Sequence, residues 1–250
     1  MGMQINLQGK NVLITGAAKG IGRELAITAA ENGANVAVHY RESEQEALQT
    51  VKEIEKLGVK VSAIQADIGN FEEVREMKDN LDKKFGQIDR IVNNAGWAQL
   101  KSFFQYEPEE WKREVDVCFH GVLNLAYTFI PTMKENNNGK FINIVGDSAR
   151  TGDRNLIVSA AARNGAISFL KSLAKEVGRN NIQCNTISLG MIDQGRLNEE
   201  LLNKIIKQYP MKRLGGASDV VGAVLFMLSE DADWITGQVL SVNGGHSMIG

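Results

Sequence analysis

The sequence predicts a three-layer α/β fold, a parallel sheet of about seven strands with helices packed on both faces. Three observations carry it: short β-branched apolar runs recur along the chain, longer stretches of helical spacing alternate with them, and 43% of the 250 residues are hydrophobic. That share is enough for one sizeable core without metals or disulfides. The apolar runs are 11–14, 35–38, 59–64, 88–92, 141–145, 182–187 and 239–242. Each reads as a strand buried on both sides.

Between the runs, helical periodicity covers 21–32, 44–57, 72–85 and 160–177, with Gly33, Gly58, Gly86 and Gly178 placed to close these helices. Residues 109–135 form a longer helical stretch that stops at the polar turn 136–139. Strand and helix in alternation require βαβ crossovers, hence parallel pairing. No linker, repeat or low-complexity tract interrupts the pattern, so residues 1–250 read as one domain.

The charge balance narrows the partners. With 28 basic and 30 acidic side chains the net charge is -2, which gives no field to draw the chain to nucleic acid or an anionic membrane. Residues 1–10 have no apolar leader core, and no stretch approaches the roughly 20 apolar residues of a membrane span. Cys118 and Cys184 stand outside any CxxC or metal-ligand spacing and read as buried free thiols, which points to the cytoplasm.

A glycine loop, Val12-Leu-Ile-Thr-Gly16-Ala-Ala-Lys19-Gly20-Ile-Gly22-Arg, leads from the first strand into the first helix. Glycines there allow a tight turn and let the backbone approach a pyrophosphate at the positive end of the helix, the arrangement of a Rossmann dinucleotide site. The second strand ends Val38-His39-Tyr40-Arg41, with no carboxylate to accept from a ribose 2′-hydroxyl. Arg41 instead offers forked donors to a 2′-phosphate, and Lys19 adds a second cation, so NADP(H) is expected over NAD(H).

Thr15-Gly-x-x-x-Gly20-x-Gly22, Asp67-Ile68, Asn93-Asn-Ala-Gly96 and the closing Ile235-Thr-Gly-Gln-Val-Leu-Ser-Val-Asn-Gly-Gly245 together resemble the short-chain dehydrogenase/reductase family, closest in flavour to its 3-oxoacyl-thioester reductases. The resemblance spans nearly the whole chain. It implies that Gly16, Lys19, Gly20, Ile21, Gly22, Tyr40 and Arg41 cradle the dinucleotide. It also implies that Asp67 and Ile68 meet the adenine, that Asn94, Ala95 and Gly96 line the ribose and floor, and that Arg163 and Ile192 lie at the nicotinamide end. A small carbonyl or acyl-thioester substrate and a homotetramer are implied too.

Family members use an asparagine, a serine, a tyrosine and a lysine for proton transfer to the substrate oxygen. Asn164-Gly165-Ala-Ile-Ser-Phe169-Leu-Lys171-Ser-Leu-Ala174 fixes the register of the helix that bears the last two. The four slots then hold Cys118, Gly146, Ser159 and Arg163. Gly146 offers no side chain, and Ser159 carries an alcohol far less acidic and shorter than a phenol. Arg163 keeps a cation that can still bond ribose hydroxyls. Further on, Leu189-Gly190 replaces a proline-glycine pair, and Gln194 stands where a threonine usually meets the carboxamide.

Other side chains do not refill these roles. Asp147 and Arg150 read as a structural or oligomer-facing charge pair, and Tyr106, Tyr127 and Tyr209 have no position that places them in the site. His39, His120 and His246 lack metal spacing and read as packing or surface, and Phe103, Phe104, Trp111 and Trp234 as core or subunit contacts. The sequence therefore favours a cofactor-binding, catalytically impaired regulatory subunit. The alternatives are an active carbonyl reductase or alcohol dehydrogenase with a non-standard proton donor, and a lyase or isomerase reusing the pocket.

Overall fold

The structure, a computed structural model, describes residues 5–193, 195 and 197–249. Seven strands form one sheet in the order β3-β2-β1-β4-β5-β6-β7, every pair parallel. They are β1 (Asn11–Ile14), β2 (Asn35–Tyr40), β3 (Val61–Gln65), β4 (Arg90–Asn93), β5 (Gly139–Gly146), β6 (Ile182–Leu189) and β7 (Val239–Val242). The helices are α1 (Gly20–Glu31), α2 (Glu44–Glu55), α3 (Phe71–Phe85), α4 (Pro108–Val115), α5 (Gly121–Glu135), α6 (Ser148–Thr151), α7 (Ile157–Val177), α8 (Glu199–Ile206) and α9 (Ala217–Leu228). The expected α/β fold is the observed one, with all seven apolar runs in the sheet.

Alternation along the strands divides the core. Val12, Ile14, Val36 and Val38 face α1, α2 and α9, while Leu13 and Ala37, one residue out of phase, face α3, α5 and α7. Both faces are buried, which is why the strands read as continuous apolar runs. From β1 the chain builds outward to β2 and β3, then crosses back to lay β4 against the other side of β1. The strand order reverses there, and a crevice opens beyond the carboxyl ends of β1 and β4.

Two local expectations change. The long stretch 109–135 is not one α-helix: α4 and α5 are joined by a π-helical turn, Asp116–His120, that carries Cys118. Gly178 does not end α7 in a left-handed turn. It keeps a helical φ of -57° at the start of a 3-10 turn, and Asn181, at φ 52°, reverses the chain instead. Asparagine is among the few residues that tolerate that conformation.

Candidate functional site

The crevice is built from its floor. Thr15 Oγ1 donates to Asn93 Oδ1 (2.7 Å) and accepts from the backbone N–H groups of Asn94 (3.0 Å) and Ala95 (2.9 Å). Asn94 Nδ2 donates to the carbonyls of Thr15 (3.1 Å) and Gly16 (3.2 Å). The end of β4 thus holds the glycine loop at the end of β1. Gly22 explains why the loop needs its glycines, since a Cβ there would collide with the Gly16 carbonyl and come within 2.6 Å of Asn94 Nδ2. Gly22→Ala is expected to cost about 1–3 kcal/mol by overpacking and to weaken dinucleotide binding, as denaturant melts and an NADPH titration would read.

A cavity of about 320 Å³ lies above this floor, lined by nine of the expected cofactor residues: Gly16, Lys19, Tyr40, Arg41, Asp67, Ile68, Asn94, Ala95 and Gly96. Its far wall, Arg113 and Val117, comes from α4 and the π-helical turn. Arg113 pairs with Asp67 at 2.7 Å, and the other Asp67 oxygen accepts from Gly69 N–H. Arg41 pairs with the exposed Glu42 at 2.6 Å. Lys19 is exposed and precedes α1, whose N-terminus has no side-chain cap and no acidic residue in its first turn. The donors, cations and glycine-lined approach fit a dinucleotide phosphate.

His39 closes the loop from behind. Its Nδ1 accepts from Gly16 N–H (3.2 Å), so Nε2 carries the proton donated to Ala66 O (2.9 Å). Burial removes the imidazole from water and lowers its pKa to about 4. Its place at the end of β2 was visible in the sequence, but its contact with Gly16 was not.

A second cavity, about 510 Å³, adjoins the first through Asn94 and is lined also by Ile21, Gly146, Ser148, Arg163 and Ile192. Arg163 projects to the Gly96 backbone: a Cβ on Gly96 would come within 2.7 Å of Nη2. Ser159 and Cys118 enter neither cavity. Ser159 has no exposed surface and donates to Leu156 O (3.2 Å). Cys118 Sγ lies 3.1 Å from Trp97 O. Gly20 sits exposed on the loop and Gly22 is buried under it, so both shape the site without lining it. Gln194 lies outside the described residues.

Several polar side chains take roles other than the expected ones. Asp147 does not pair with Arg150. Its oxygens accept from Ser188 Oγ (2.6 Å), Asn243 Nδ2 (2.6 Å) and Ser247 Oγ (3.0 Å). Arg150 donates to Ser241 Oγ and Ile249 O, both at 2.7 Å. The two residues tie the C-terminal segment down separately. Tyr106 is buried and donates to Glu114 Oε1 (2.7 Å); desolvation, and after it this contact, raises its phenol above the ordinary range. Tyr209 accepts from Met191 N–H (2.8 Å) outside the second cavity. Phe104 and Trp234 are not core: they are 94% and 100% exposed. Both cysteines are buried and free, as expected, and burial pushes the Cys184 thiol up to about 12.

Sheet order, switch point and glycine-lined cavity together define a dinucleotide-binding α/β protein of the Rossmann type. Comparison with known proteins makes this more specific. The family described as enoyl-(acyl carrier protein) reductase matches residues 16–247. The 3-oxoacyl-[acyl-carrier-protein] reductase of Staphylococcus epidermidis is 36% identical over 245 residues, 96% of this chain and 99% of that protein. The reductases of the same description from Chlamydia trachomatis and Thermotoga maritima are 35% and 31% identical, over 96% of this chain and 98% and 99% of their own lengths. The chain belongs to the short-chain dehydrogenase/reductase family, a family of oxidoreductases. Among the described residues no helix is long and apolar enough to cross a membrane, and no cluster of side chains is arranged to hold a metal.

Proposed function

We propose that this chain binds NADP(H) but lacks the family's route of proton transfer, and acts as a cofactor-binding regulatory or sensing subunit. One observation carries the reading. Among the described residues lining the second cavity, Arg163 is the only one with an ionisable side chain, and the rest are aliphatic groups, backbone, Ser148 and Asn94. A guanidinium does not act as an acid near neutral pH. Cys118, Gly146 and Ser159 add no donor, being turned away, without a side chain, or buried. Reduction of a carbonyl needs a proton at the oxygen as well as the hydride that a bound nicotinamide supplies.

The cofactor half supports binding. Lys19 and Arg41 both line the first cavity and offer it two cations for a 2′-phosphate, Arg163 can hold ribose hydroxyls, and residues 1–250 serve as one dinucleotide-binding unit. The exposed Phe104, Tyr127 and Trp234 support self-association, for which a homotetramer is the proposed form, in the cytoplasm.

NADPH at 100 times its dissociation constant is expected to stabilise the fold by about 2.7 kcal/mol. A panel of 3-oxoacyl thioesters and cyclic ketones should show no protein-dependent loss of NADPH absorbance, and clear turnover would overturn the reading. For the cofactor choice, Arg41→Ala should weaken NADPH by about tenfold, the worth of one charge-assisted hydrogen bond, and leave NADH nearly unchanged. Equal losses for the two cofactors would refute the phosphate contact.

A further inference from the structure

We propose, on the reading that the first cavity holds a nicotinamide dinucleotide, that Glu42 sets the balance there between NADPH and NADH: it competes with a 2′-phosphate for Arg41 and accepts from a free 2′-hydroxyl. The end of β2 carries no acidic residue. Two positions beyond Tyr40, however, Glu42 lines the cavity together with Tyr40 and Arg41. Its carboxylate lies 2.6 Å from Arg41 Nη2.

The neighbouring acids are committed elsewhere. Asp67 is held by Arg113 and by the Gly69 N–H. Glu44 meets the Tyr40 hydroxyl at 3.4 Å, and neither Glu44 nor Glu46 lines the cavity. Glu42 is therefore the carboxylate that bears on Arg41. The stem of that arginine is anchored as well, because its carbonyl accepts from Gln65 Nε2 on β3 (2.9 Å). Both side chains of the pair are exposed, so the pair itself adds little to folding. Its consequence is for what else Arg41 can hold.

The two cofactors differ at the ribose in charge and in hydrogen-bonding sense. A 2′-phosphate is an anion and an acceptor. To take the donors of the Arg41 fork it must displace Glu42, and it then stands near a second negative charge. A 2′-hydroxyl is a donor. It finds in Glu42 the kind of acceptor that NAD-binding Rossmann proteins carry for the ribose. Glu42 thus opposes one cofactor and favours the other, while Lys19 and Arg41 favour the phosphate. Selectivity is a difference of two affinities, and this one carboxylate moves them in opposite directions.

The test is titration of NADPH and of NADH into the wild type, Glu42→Gln and Glu46→Gln, with urea melts of each. The wild type should bind both cofactors, NADPH ahead by about tenfold or less. Glu42→Gln should tighten NADPH about threefold and weaken NADH about threefold, widening the ratio about tenfold at an unchanged urea midpoint. Glu46→Gln removes the same charge from the first turn of α2, outside the lining, and should leave the ratio as it is. A wild type selective for NADPH by more than about a hundredfold, a ratio that Glu42→Gln does not move, or an equal shift from Glu46→Gln would each overturn the proposal. NADPH binding with a ratio indifferent to Glu42 sinks the role of Glu42 and leaves the cofactor reading standing, whereas binding of neither cofactor sinks both.

Discussion

Gly146→Ser, Ser159→Tyr and Arg163→Lys, introduced together, are expected to turn on NADPH-dependent reduction of a 3-oxoacyl thioester that the wild type does not show, a positioned general acid contributing a factor on the order of 10²–10⁴. The structure has room for the first change, since a Cβ at Gly146 meets only Ser148 Oγ, at 3.6 Å. Ser159 lies in the first turn of α7, fully buried and bonded to Leu156 O. A phenol outgrows the space that the small hydroxyl fills, and the restored activity requires it to extend to the cleft, which position 163, on the same helix face one turn later, lines. A lysine there places a cation beside the phenol and lowers its pKa. Each single change should give far less, because an acid without its cation, or a cation without its acid, restores no unit. The measurement is the initial rate at the NADPH absorbance band, with NADPH affinity measured in parallel. An inert triple variant that still binds NADPH would show that the substrate cleft has diverged along with the proton machinery.

What the sequence disclosed and what it hid divide along physical lines. The strands were legible because each is an apolar run of its own, and the glycine loop because its spacing is local. Nine of the expected cofactor residues meet around one cavity for the same reason: they sit at the ends of β1 to β4, whose order follows from βαβ connectivity. The contacts that escaped are long-range. Asp147 reaches Asn243 and Ser247, roughly a hundred residues on, and nothing near it in the chain announces them, so a charge pair with Arg150 was the simpler expectation. Arg113 reaches Asp67 from a helix whose approach depends on the π-helical turn at Asp116–His120. That turn was hidden because α4 and α5 carry uninterrupted helical periodicity on either side of it. Ser148 is visible as a hydroxyl two residues after Gly146, but only the fold directs both into the same cavity.

His39 gives the second large effect. The imidazole is wholly buried, with Nδ1 accepting from Gly16 N–H and Nε2–H donating to Ala66 O. Its pKa falls from 6.5 to about 4 because desolvation outweighs the Ala66 carbonyl and the Asp67 charge, both of which favour the proton. Between those two values the unfolded chain holds the proton and the folded chain does not, so stability rises with pH across the window. The contribution is complete above about pH 6.5 and is lost as the pH falls toward 4. At about 1.4 kcal/mol per pH unit the loss approaches 3 kcal/mol. Protonation also takes the lone pair that accepts from Gly16 and sets two donors face to face, so NADPH affinity should fall with stability. His39→Asn removes the titration and keeps a neutral polar group. Urea melts of both proteins from pH 8 to pH 4.5 should diverge only below about 6.5, the wild type losing stability more steeply. Subtracting one curve from the other cancels the carboxylates that titrate in the same range. Parallel curves would mean that His39 is not held neutral against the loop, and that the glycine turn stands without it.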